Sequence, residues 1–218
     1  MAVLSTRVRS AAGLVFGVAL VFAVGPALAN GDDDDANGDD DAKRHEYVGA
    51  RKCKTCHAKE AIGNQYGSWL EGRHAKAFET LAGDKAAEWA AEAGVADPQT
   101  DEKCFKCHVT AFGVPETLIS TRFDRTAGVQ CEACHGAGRD YRKKKVMIDR
   151  ELAESKGLVP QSEKVCLRCH NDESPAWDPE QYTRPDGSKL GFDYEQAVER
   201  IRHPVPEGYD PLAEGEAD

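Results

Sequence analysis

All eight cysteines of the chain fall in one small pattern, C-x-x-C-H, which occurs four times: "CKTCH" at 53–57, "CFKCH" at 104–108, "CEACH" at 131–135 and "CLRCH" at 166–170. The spacing has a mechanical meaning. On one helical turn, positions i and i+3 lie on the same side. Cys53 with Cys56, Cys104 with Cys107, Cys131 with Cys134, and Cys166 with Cys169 can each offer two thiols to the two vinyl groups of a porphyrin. The histidine that follows (His57, His108, His135 or His170) stays on that face and reaches the iron from one side. The pattern thus supplies covalent anchor and proximal ligand together, and four copies predict four covalently bound haem c groups. Structural zinc does not call for a histidine after the second cysteine every time. A thioredoxin-like redox pair expects a βαβ context that the sequence lacks.

Each iron has a second axial position. Only His45, His74 and His203 remain to fill it, so at most three irons can be bis-histidine. His74 stands in "SWLEGRHAKAFETL", 68–81, where Leu70, Ala77, Phe78 and Leu81 recur at helical spacing and predict an inward face. An imidazole on that face, with four irons short of ligands, is predicted to be a distal ligand rather than a core histidine. His203 ends a stretch whose inner face reads Tyr194, Ala197, Val198 and Ile201. Pro204 biases it out of the helical region, and it is the second predicted distal ligand. His45 lies beside Glu46 at the margin of an aspartate-rich run and reads as solvated linker.

The elements that position these residues follow from composition. Residues 1–29 read as a signal peptide: Arg7 and Arg9, a 14-residue apolar run at 11–24, then Ala27-x-Ala29. The run is shorter than the ~20 residues of a membrane span, so export to the periplasm without a membrane span is expected. Residues 30–46 hold seven aspartates in "GDDDDANGDDD" and read as an acidic disordered tether, with 211–218 as a disordered tail. The folded domain is expected at 47–210. Its apolar content is modest, so porphyrins must supply much of the interior. Helical patterning covers 58–81, 84–94, roughly 142–156 and 193–202, and strand patterns are scarce. The expected fold is mainly α, a loop-rich single domain wrapped around four haems with little β.

Several stretches, "GARKCKTCH", "RHAKAFETL", "DEKCFKCHVTAFG", "GVQCEACHGAGRDY" and "CLRCHNDESPAW", followed by the helix ending in "IRH", resemble the tetrahaem cytochrome c-554 family across about 47–203. The resemblance implies a mainly helical fold with haems in close-packed pairs, distal histidines at His74 and His203, and a five-coordinate iron on His108. It also marks a departure. Where the family carries a histidine for the first haem, this chain has Lys145 within "GRDYRKKKVMID". Lys145, Met147, His45 or an open position are the alternatives for that iron. Tyr182 and Thr183 are expected near the second haem.

These features favour an electron carrier over an enzyme. The partners expected are a redox donor and an acceptor that dock through basic patches, because the chain carries a formal charge of −10. By resemblance, the donor would be a multihaem dehydrogenase acting on a nitrogen compound. An acidic chain without a basic groove argues against nucleic acid, and no obligate oligomer is expected. The alternatives are reduction of a small molecule, nitric oxide or hydroxylamine, at a five-coordinate haem, and a subunit of a haem filament.

Overall fold

Short helices separated by turns carry the cysteines. The computed structural model describes residues 45–203 and 205–209; the expected signal peptide, most of the acidic run and the C-terminal tail lie outside them. Helix α1 (Ala50–His57) ends on the first motif histidine. A 3-10 turn at Glu60–Ile62 leads to α2 (Gln65–Glu71), a second 3-10 turn at His74–Lys76, and α3 (Ala77–Thr80). Then come α4 (Asp84–Glu92), α5 (Glu102–His108), α6 (Cys131–His135), α7 (Lys144–Met147), α8 (Arg150–Glu154), α9 (Glu163–Leu167) and α10 (Tyr194–Ile201).

Local chemistry starts several of them. Asp101 accepts from the Lys103 amide at the head of α5, Asp149 from Leu152 at α8, and Asp193 from Gln196 at α10. Helix α5 also places Glu102 in its first turn and Lys106 and His108 in its last, the arrangement its dipole favours. Helices this short are marginal alone and depend on what they pack against.

Strand is minimal among the described residues. Tyr182–Thr183 pairs antiparallel with Lys189–Leu190, in the register Tyr182 to Leu190 and Thr183 to Lys189, and a single parallel bridge joins Tyr47 to Ile119. The mainly α expectation holds. No described helix is long and apolar enough to cross a membrane.

Side chains alone make a thin interior. One buried cluster gathers Tyr47, Ala111 and Ala137, with Val114, Ile119 and Phe123 against it. The other gathers Tyr141, Val146 and Ala153, with Met147 and Leu158. Meanwhile Leu70, Phe112, Leu167 and Ile201 stand exposed. Large apolar groups left bare beside small cores fit a protein whose interior is completed by a flat apolar group.

Two predicted helices are interrupted. The 58–81 pattern breaks at Gly72, which is extended (φ −74°, ψ 165°) and ends α2. The carbonyl of His74, one turn on, is taken by the Val129 amide at 2.9 Å. Leu70, expected on the inner face, is 52% exposed, while Leu81 is buried at 5%. The 142–156 pattern splits into α7 and α8 because Asp149 turns its side chain to cap the second.

Candidate haem-anchoring sites

None of the eight cysteines is in a disulfide. Three motifs close a helix at their histidine, and the fourth begins in the last turn of α9, where the amides of Cys169 and His170 both donate to the Cys166 carbonyl. The i, i+3 arrangement expected for paired thioethers is therefore present in each.

Two of the motif histidines are oriented through Nδ1. His108 donates from Nδ1 to the Ala77 carbonyl at 2.6 Å. His57 meets Gln65 Oε1 through Nδ1 at 3.2 Å. Fixing Nδ1 in this way leaves Nε2 as the metal-binding nitrogen and sets the plane of the ring.

Two of the four motif histidines face another imidazole. The rings of His74 and His170 lie 6.1 Å apart between centres. Those of His135 and His203 lie 6.0 Å apart. Two metal–nitrogen bonds of about 2 Å plus the depth of two imidazoles separate ring centres by about 6 Å. Each pair thus leaves room for one iron between its rings. Burial holds His74 and His170 below the usual imidazole range, with His170 adding to the effect at His74. His135 is pushed down to about 4 by burial, then by His203 and His57. The neutral imidazole that results is the form that binds metal.

His74 is held in place by its neighbours. It lies in the 3-10 turn after Gly72, not within a continuous helix. The segment just before the third motif clasps it: Val129 bonds its carbonyl, and Gly128 passes so close that a Cβ there would fall 2.5 Å from that oxygen. Gly128 also has φ +72°, a conformation that glycine takes without strain. His203 follows Arg202, whose extended backbone (φ −55°, ψ 128°) turns the chain out of α10 as the sequence predicts. Phe192 stacks on His170 at 5.1 Å and buttresses that pair.

The remaining histidine is not solvated linker. His45 bonds Asp140 at 2.7 Å, its side chain is 14% exposed, and its ring lies against Gly157, where a Cβ would not fit. Its neighbour Glu46 pairs with Arg139 at 2.9 Å. Lys145 is exposed on α7, and Met147 packs into the Tyr141 cluster. Tyr182 is buried against Phe192 with Arg200 over its ring at 4.7 Å, and Thr183 accepts from Gln196. These contacts set Tyr182 beside the fourth motif; none described sets it beside the second, where it was expected.

The four motifs form a row. Glu132 in the third motif accepts from the Val48 and Gly49 amides that lead into the first, and the Cys53 and Cys131 sulfurs lie close together, joining the two. Cys134 lies within electrostatic reach of Cys166, and Arg168 donates to the Ala133 carbonyl, joining the third to the fourth. Cys169 beside it draws the Cys107 thiol down to about 7, and Lys106 pairs with Glu173 at 2.6 Å, joining the fourth to the second.

One residue in this row was missed by the sequence reading. Glu132, inside the third motif and 2% exposed, accepts from the amides of Val48 at 2.9 Å, Gly49 at 2.7 Å and Gly138 at 2.7 Å. Gln130 accepts from Ala50 at 2.8 Å. Together they take the Val48, Gly49 and Ala50 amides that lead into α1. Burial pushes the Glu132 carboxyl up, against the pull of its backbone donors and Arg142. The signal was an acid at a variable position where the other motifs carry Lys, Thr, Phe, Leu or Arg.

Paired thiols, an oriented histidine and a bare apolar surround define the class: a c-type cytochrome, with covalently bound haem c. The comparisons agree. Residues 52–136 match the family described as "Cytochrome c554 and c-prime". The chain is 29% identical over 177 residues, 72% of its own length and 73% of the relative's, to "Cytochrome c-554" of Nitrosomonas europaea. Both comparisons support the cytochrome c-554 family as what the chain is similar to. No solved structure matches it.

Proposed function

We propose that the chain is an exported, periplasmic relay that carries four haem c groups and passes electrons between redox proteins. Bound haem iron supplies a reversible one-electron couple, tuned by axial ligands, burial and charge. The protein's share of the work is geometric. Eight thiols fix the groups, Gln65 and the Ala77 carbonyl orient two proximal rings, and Glu132, Arg168 and Lys106 tie neighbouring motifs side by side. The observation that carries the reading is the row of four motifs with histidine pairs in its middle. A row of adjacent redox groups needs no proton-transfer residue to do its job.

Donor and acceptor would meet the chain through small, weak surfaces, with charge steering encounter. The formal charge of −10 favours basic patches on at least one of them. Protein mass and the pyridine haemochrome assay test the count: four haems per chain are expected, and fewer would reject it. Reductive titration should then take up four electrons, and the rate of electron exchange with a basic partner should fall as salt rises.

A second reading, reduction of a small molecule, draws on His108, which no second imidazole faces among the described residues. Rapid reoxidation of the reduced protein by nitric oxide or hydroxylamine, with stoichiometric product, would favour it.

A further inference from the structure

We propose that the iron carried by His57 is a second ligand-exchangeable site, so that exchangeable irons stand at both ends of the row. The inference rests on the four-haem reading above.

The argument is an inventory that closes. The chain has seven histidines, and all lie among the described residues. Four belong to motifs. Two of the others are spent on His170 and His135, at ring separations of 6.1 Å and 6.0 Å. The last, His45, has Nδ1 on Asp140 and turns the Cδ2–Nε2 edge of its ring against Gly157, where a Cβ would lie 2.6 Å from Cδ2 and 3.3 Å from Nε2, so its other nitrogen faces backbone. It sits before the first residue of α1, whereas His57 is its last, so an eight-residue helix of about 12 Å separates their positions. No imidazole is therefore left for His57.

The other candidate ligands are placed elsewhere. The Met147 thioether packs with Tyr141, Val146 and Ala153, a contact that a Met–iron bond would break. Lys145 is exposed on α7, directed to solvent rather than into a buried site. The distal side of the His57 iron is then open to water or to a small ligand from solution: a neutral diatomic in the ferrous state, a small anion in the ferric state. The position in the row matters too. His57 belongs to the first motif, tied to the third through Glu132 and the Val48 and Gly49 amides, and His108 to the second, tied to the fourth through Lys106 and Glu173. The two irons without a second imidazole are the two at the ends.

Carbon monoxide titration of the dithionite-reduced holoprotein tests this without reference to turnover. Protein shown to hold four haems should bind two equivalents. His74→Ala and His203→Ala should each raise the count to three, which assigns the original two to His57 and His108. Should either variant fold poorly, His74→Gly with added imidazole should return the count from three to two. One equivalent or none in the wild-type holoprotein overturns the proposal. So does a ferric near-infrared magnetic circular dichroism band of an imidazole–thioether or imidazole–amine iron that disappears in Met147→Ala or Lys145→Ala. A count that does not rise in His74→Ala or His203→Ala, with two equivalents in the wild type, would instead break the facing-pair assignment, and the second site could no longer be placed on His57.

Discussion

The third and fourth motifs differ from the first and second in how the chain finishes them. In the middle of the row, a second imidazole arrives from far away in sequence: His74 meets His170 and His203 meets His135. At the ends, the chain orients the proximal ring and stops, with Gln65 behind His57 and the Ala77 carbonyl behind His108. The anchor sequence is the same in all four. Axial chemistry is therefore set by elements outside the motif, and four copies of one pattern yield two kinds of site.

The largest effect should come from cutting the link between an end and the middle. Glu132→Ala leaves three buried backbone donors unpaired, at about 1–3 kcal/mol each. Denaturant unfolding should show a loss on the order of 3 kcal/mol or more, with the first-motif iron disturbed before the fourth. Next, His74→Ala should turn a middle site into one resembling an end. Ferric electron paramagnetic resonance should gain one high-spin iron while mass shows four haems retained, and an unchanged spectrum would refute the pairing.

Gly128→Ala attacks the same site indirectly. Its φ of +72° and the crowding against the His74 carbonyl should cost about 1–3 kcal/mol. Part of the fourth-motif iron should become high-spin in the same variant. A smaller effect concerns pH. The folded protein keeps the Glu132 proton at a pH where the unfolded chain has released it, because burial outweighs the donors around it. Stability from this group is fully present below the ordinary carboxylate pKa and is lost as pH rises through the raised value. Glu132→Gln should remove that part of the dependence of Tm on pH. Smallest of all, Gln65→Ala should shift the potential of the first-motif site and leave the middle pair unmoved.

The middle sites were more legible in the sequence than their supports. His74 and His203 could be singled out because each broke an apolar helical pattern, and the motifs declare their own chemistry. The continuity of 58–81 could not be judged from periodicity, since the break at Gly72 is stabilised by Val129, more than fifty residues on. His45 was misread for a related reason. Its neighbours in sequence are charged, but its neighbours in space are Asp140 and Gly157. Glu132 escaped because a carboxylate is the residue least expected inside, and only its distant donors make its burial tolerable.

The reach of Glu132 has a consequence for how such a chain is made. The amide of Val48 and its acceptor are 84 residues apart. A polypeptide emerging amino end first presents Cys53 and Cys56 long before the carboxylate that seats their helix has been delivered. Until it arrives, the Val48 and Gly49 amides lack their folded-state acceptor, and the segment carrying both sulfurs lacks its native helix start. The native helix start locks afterwards, once the third motif has followed.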